Sequence, residues 1–174
     1  MATRKSKTLN AEALWEYALR ILAARPYSEA ELRQKLARRS ETPAALTETI
    51  ARLREYGFAD DRKFSEVFAA SRLQNKGFGA SRVLRDLRGK RVSAAVAEQA
   101  VSNAFAGTDE RELANAFLER KYRGKNLREF LREQKNLASA YRRLRTAGFS
   151  SSTALFVLKQ HAVEIEIDEI PEEE

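Results

Sequence analysis

One stretch of this chain repeats itself. Shifting residues 80–101 by 57 positions lays them on 137–158, so that Leu84 meets Tyr141, Leu87 meets Leu144, Val92 meets Phe149, Ser93 meets Ser150 and Val101 meets Leu158. Shifting back by 51 brings Leu36 under Leu87 and Ile50 under Val101. Each copy reads as a helix ending near a Leu, a short capped break, and a further helix. Self-similarity at this period is the mark of a repeat array, in which each module buries too little core alone and shares contacts with its neighbours.

The apolar periodicity supports the same division. Leu14, Trp15, Ala18, Ile21 and Leu22 form one helical stripe behind Asn10, a plausible N-cap, and Pro26 ends that helix near Ala24. Ser28 and Glu31 form a capping box for a second helix, reaching about Arg39, with Leu32 and Leu36 inward. Thr42-Pro43 reads as N-cap and first-turn proline of a third helix carrying Leu46, Ile50 and Leu53 and ending at Gly57.

Asp60-Asp61 then starts a helix whose expected buried side is Phe64, Val67 and Phe68. Two carboxylates in a row can also ligate Mg²⁺, but no partner cluster has the spacing for it, so the helix start is the better reading. Gly77 stops that helix. Others follow at about 80–89, after the cap Ser93, and after Asp109, with Leu113, Phe117 and Tyr122 inward. Residues 123–135 are charged and contain Gly124, and read as an insertion. Leu137, Tyr141 and Leu144 resume the pattern to Gly148, and Ser150 to Ser152 offer caps for a last helix.

Three Gly-Phe pairs, Gly57-Phe58, Gly77-Phe78 and Gly148-Phe149, punctuate the chain. Gly accepts the left-handed conformation after a helix end, and the next residue folds its apolar side chain back on the last turn. Stacking of these rings on nucleobases is the functional alternative.

The expected fold is therefore all-α: three tandem three-helix repeats forming an elongated curved array. The expected segments are a disordered basic arm at 1–9, repeats at 10–57, 58–107 and 108–161, and a disordered acidic tail at 162–174.

Composition narrows the function. The absence of Cys leaves no thiolate chemistry, and a single His, His161, argues against a Ser-His-Asp triad and a multi-histidine metal site. His161 is expected to meet carbonyls at the last helix end. Gly77-Phe78-Gly79 lacks the third Gly and the strand of a phosphate-binding loop. No cofactor and no catalytic set is expected. No apolar run spans a membrane and no apolar run follows the basic start, so cytoplasmic residence and no membrane partner are expected.

Charge supplies the positive signal. The chain has 32 Lys and Arg against 25 Asp and Glu. Seven of those acids lie in 164–174, so residues 1–163 keep 18 acids against all 32 cations. A body this basic favours a polyanion, and the acidic tail can compete for the same surface. The cations recur repeat by repeat: Lys35, Arg38 and Arg39; then Arg72, Lys76, Arg82, Arg85, Arg88, Lys90 and Arg91; then Arg142, Arg143 and Arg145. Stacked with a constant turn, they would form a continuous stripe for phosphates, with no signal for base-specific reading.

Three stretches resemble the RecX regulatory proteins: SEAELRQKLARR at 28–39, LREYGFADDRKFSEVFAASR at 53–72 and KGFGASRVLRDLRGKRV at 76–92. The run from Tyr56 to Phe64 is the most specific. The likeness weakens over 109–160, where YRRLRTAGFSSSTALFVL still fits. The chain is expected to be a monomer, and the resemblance implies a non-enzymatic modulator of the RecA recombinase. It implies binding to the RecA–single-stranded DNA filament, inhibition of its ATPase, strand-exchange and coprotease activities, and a place in recombination, DNA repair and the SOS response. A general nucleic-acid-binding protein acting without RecA is the alternative.

Overall fold

In the computed structural model, residues 8–161 are described, and the helices fall where the sequence caps them. The expected basic arm and acidic tail lie outside the described residues, apart from Thr8 and Leu9. Among the described residues there is no strand beyond an isolated bridge of Leu9 with Ser40. There the Leu9 amide donates to the Arg39 carbonyl (2.7 Å) and the Leu9 carbonyl accepts the Glu41 amide (2.9 Å).

The chain is all-α. It runs α1 (Ala11–Ala24), α2 (Glu29–Ala37), α3 (Pro43–Glu55), α4 (Asp61–Ser71), a π-helical turn (Arg72–Lys76), α5 (Ala80–Gly89) and α6 (Ala94–Phe105). It continues through α7 (Glu110–Lys121), α8 (Leu127–Phe130), α9 (Gln134–Thr146) and α10 (Ser151–His161). Contacts group these into two compact units, Met1–Phe68 with Leu87–Ala100, and Ala69–Asp86 with Val101–Glu174. Helices α4, α5 and α6 contribute residues to both.

In the first unit, Leu14, Leu32, Leu36, Ile50 and Leu53 are buried in one core with Trp15 and Tyr27 at its edge. Asn10 accepts the Ala13 amide (3.0 Å), Thr42 accepts that of Ala45 (3.1 Å), and the Ser28–Glu31 capping box is complete. Asp60 caps α4 by accepting the amides of Arg62 and Lys63. Asp61, the other member of the acidic pair, reaches across to accept the Glu29 amide at the start of α2 (2.8 Å). That long-range cap satisfies a donor which every helix N-terminus leaves open.

Val67 departs from expectation. It is 59% exposed, while Phe64, Ser65 and Ala69 are buried. The inward face of α4 is set by positions 64, 65, 68 and 69, which share one side of a 3.6-residue helix, and Val67 falls outside that arc. Small residues at 65 and 69 hide the stripe from a reading based on hydrophobicity.

In the second unit, Phe117, Leu118, Leu131, Leu137, Leu144, Phe149, Val157 and Leu158 form the core. The segment read as an insertion is anchored in it. Leu131 is fully buried, the Tyr122 and Phe130 rings lie 4.9 Å apart, and Asn136 donates to the Phe130 carbonyl (3.0 Å).

The three Gly-Phe stops divide into two kinds. At Gly57 and Gly148 the paired amide-to-carbonyl bonds of a Schellman ending are made, from Gly57 to Arg54 and Phe58 to Leu53, and from Gly148 to Arg145 and Phe149 to Leu144. At Gly77 the Phe78 amide reaches back to Arg72, one residue farther, which accommodates the π-helical turn. Gly79 and Gly148 also make a close backbone approach: the Gly79 amide donates to the Ala147 carbonyl (2.9 Å), and a Cβ on Gly79 would overlap the Gly148 carbonyl.

Candidate polyanion-binding surface

The second unit carries a groove of about 470 Å³ lined by Phe78, Phe117, Thr146 and Ala147 and by Arg82, Lys121, Arg142 and Arg143. Phe117 and Ala147 are buried and Phe78 half-buried, so apolar surface makes the floor. Lys121, Arg142 and Arg143 are exposed, so cations make the rim. No lining residue is acidic.

Local sequence explains each placement. Phe117 and Lys121 are four apart on α7, one above the other. Arg142, Arg143 and Thr146 share one side of α9. Arg82 is oriented by Asp86, four residues on (Nε to Oδ1, 2.9 Å), and by donation to the Thr146 carbonyl (3.1 Å). Arg72 also approaches Asp86, at 4.0 Å. Among the described residues, no carboxylate lies within ion-pair distance of Lys121, Arg142 or Arg143. Three un-neutralised cations over an apolar floor make a site for anionic groups that carry flat or apolar parts.

Other sequence-predicted cations of this unit lie elsewhere. Arg145 donates to the Phe149 carbonyl (2.8 Å), closing its own turn. The Lys76 carbonyl accepts from Arg120. Arg85 is exposed without an ion pair among the described residues.

In the first unit, Lys90 points inward. Its ammonium pairs with Glu31 (2.8 Å), while its carbonyl accepts from the Ser28 hydroxyl (2.7 Å). Burial raises the Glu31 pKa. The hydrogen bonds from Lys90 and the Ser28 amide, with the charges of Lys90 and Arg25, outweigh it and hold the carboxyl below its ordinary range. Arg88 pairs with Glu98 (3.0 Å). Arg91 is exposed and adopts φ 60°. Lys35 and Arg25 flank the Tyr27 ring, Arg38 is exposed beside them, and Arg39 lies over Tyr17. Trp15, Tyr56 and Phe58 make an aromatic patch with centroid distances of 5.5 and 6.1 Å from Trp15, and Tyr56 and Phe58 are exposed.

The structure thus brings Arg82, Arg142 and Arg143 together and turns Lys90 and Arg145 to internal bonds. Lys121 was missed as a site residue. Its signal was the Phe117–Lys121 spacing, an aromatic and a cation on one helix face. His161 donates from Nε2 to Asn115 Oδ1 on α7 (2.7 Å) rather than meeting carbonyls of its own helix end. Burial, with the charge of Arg128, lowers its pKa against the opposing charge of Glu119. Among the described residues, no helix is long and apolar enough to cross a membrane, and no group of three His, Cys, Asp or Glu could hold a metal ion.

Known proteins resemble this chain in sequence and fold. The chain matches the family models for RecX, first three-helix domain, over residues 15–53, and RecX, second three-helix domain, over residues 60–101. Regulatory protein RecX of Deinococcus radiodurans is 33% identical over 168 residues, 97% of this chain and 78% of that protein. Regulatory protein RecX of Halorhodospira halophila is 38% identical over 93 residues, 53% of this chain and 57% of that protein. The crystal structure of RecX from Lactobacillus salivarius superposes with a TM-score of 0.68 at 15% identity, covering 88% of this chain and 97% of that one. These likenesses define a class first, an all-α protein of tandem three-helix domains. Within that class, the chain belongs to the RecX family.

Proposed function

We propose that this protein is a non-enzymatic regulator that binds the RecA–single-stranded DNA filament in the cytoplasm and lowers its ATPase, strand-exchange and coprotease activities. The observation that carries the reading is the groove of the second unit, whose charged lining is entirely cationic and whose Lys121, Arg142 and Arg143 have no carboxylate partner among the described residues. The family supplies the regulatory role, since the relatives bear the name Regulatory protein RecX.

The mechanism follows from differential affinity. A ligand shifts an equilibrium only by the difference between its affinities for the two states. Phosphates of a single strand engage the cationic rim, while flat or apolar parts rest on Phe78 and Phe117. Each phosphate contact releases counterions, so binding falls steeply with salt. A protein that holds the filament's inactive or disassembling state more tightly than its active one depletes the active form.

The test is ATP hydrolysis by RecA on single-stranded DNA with increasing amounts of this protein at moderate salt. Inhibition supports the reading, and undiminished hydrolysis at excess protein overturns it. Tight binding to free DNA, unchanged when RecA is added, would instead favour the general nucleic-acid-binding alternative.

A further inference from the structure

We infer that residues 164–170 of this same chain dock in the groove of the second unit and compete there with nucleic acid. The inference rests on the proposed polyanion role of that groove. The segment lies outside the described residues, and its sequence is Glu-Ile-Glu-Ile-Asp-Glu-Ile, acids alternating with isoleucines over its first five positions.

Three features match the segment to the groove. The first is charge. Glu164, Glu166 and Asp168 meet a rim of Lys121, Arg142 and Arg143, where no lining residue is acidic. Clusters of arginine are a recurrent way of binding acidic segments. The second is the apolar component. In an extended segment alternate side chains face opposite ways. Ile165 and Ile167 can therefore seat on Phe78 and Phe117 while the acids stay level with the rim. A plain polyacid would leave that floor uncovered.

The third is reach. The end of α10 is tied to α7 by the bond from His161 to Asn115. Lys121 lies six residues farther along α7, about 9 Å along its axis. The four residues from 162 to Ile165 reach up to about 13 Å when extended, which covers that axial distance. All of these contacts belong to one unit. The segment would be a built-in competitor, displaced when a longer polyanion offers more phosphates to the same cations.

The test uses the full chain. With no native Cys, a nitroxide on Glu172→Cys reports a single position. Without nucleic acid, the amide resonances of Lys121, Arg142, Arg143 and Ala147 should broaden. The broadening should vanish in the same labelled chain carrying Ile165→Ser and Ile167→Ser, changes that leave every described residue in place. Broadening no greater in the groove than over the rest of the surface overturns docking.

Competition is read from a fluorescein-labelled single-stranded oligonucleotide at low salt. Neutralising the segment with Glu164→Gln, Glu166→Gln, Asp168→Asn and Glu169→Gln should tighten binding about tenfold, the effect of freeing a few phosphate-binding cations. Equal affinity overturns competition. If neither form binds the oligonucleotide, the groove's polyanion role fails, and the nitroxide measurement still decides docking by itself.

Discussion

Glu31 and Lys90 stand 59 residues apart in sequence and 2.8 Å apart in space, each side chain 24% exposed. The pair ties the first turn of α2 to the turn between α5 and α6, and the Ser28 hydroxyl bond to the Lys90 carbonyl runs beside it. Lys90 is therefore a structural residue. Lys90→Ala should lower stability at neutral pH by about 1–3 kcal/mol, because it removes the nearest charged partner of a half-buried carboxylate and leaves it only the Ser28 amide and Arg25 at 3.8 Å. Glu31's folded pKa lies below its unfolded value, so its contribution is full above the unfolded value and is lost as pH falls through the folded one. The gap between wild type and Lys90→Ala in urea unfolding should thus shrink on acidification. A gap constant from pH 7 to pH 3 would contradict this.

Arg91 occupies the place in the middle repeat that Gly148 occupies in the last. Its φ is 60°, its amide donates to the Arg88 carbonyl (2.9 Å), and the Val92 amide donates to that of Leu87 (3.4 Å), the same paired ending made at Gly148. A side chain in this left-handed conformation costs about 1 kcal/mol that Gly does not incur. Arg91→Gly should raise the melting temperature. A lowered melting temperature would show that contacts of the Arg91 side chain outweigh the backbone strain.

Two glycines in or next to α5 should respond oppositely to the same change. A Cβ on Gly79 would overlap the Gly148 carbonyl, whereas one on Gly89 meets nothing within 4 Å. Gly89 lies in the last turn of α5, where alanine gains up to about 1 kcal/mol over glycine. Thermal unfolding should show Gly89→Ala at or above wild type and Gly79→Ala clearly below it. Equal melting temperatures would refute the close approach.

Phe149 and Phe58 follow the same Gly stop, yet Phe149 is 1% exposed and Phe58 46%. Phe149→Ala should cost about 3–5 kcal/mol, as a ring deleted from a core does. Phe58→Ala should cost far less. Trp15, the sole tryptophan, lies 6.1 Å from the Phe58 ring and reports on that patch by its fluorescence. Denaturant midpoints that fall together for both variants would show that Phe58 is a core residue.

Local chemistry made most of the fold legible. Caps at Asn10, Ser28, Thr42, Asp60 and Asp109 and stops at Gly57 and Gly148 sit where their own sequences place them, because each is satisfied within a few residues. What escaped depends on distant partners. Asp61 caps α2 from α4, Leu131 anchors a segment that looks polar, and Ser65 and Ala69 displace Val67 from the buried face. The site was legible as a surplus of cations but not as a place. Sequence counts Lys90, Arg145, Arg142 and Arg143 alike. Only packing separates those that hold carboxylates or carbonyls from those with no carboxylate partner among the described residues.

Arg142 and Arg143, without a carboxylate partner among the described residues, decide whether the groove is the binding surface. Arg142→Glu with Arg143→Glu alters two exposed side chains of α9, so circular dichroism should stay that of the wild type. In RecA ATP hydrolysis on single-stranded DNA, wild type should inhibit and the double variant should lose most of that inhibition. The salt dependence of its oligonucleotide binding should also flatten, by about 0.7 in log–log slope for each single-strand phosphate contact removed. Inhibition equal to wild type, with an unchanged salt slope, would contradict the assignment of the groove.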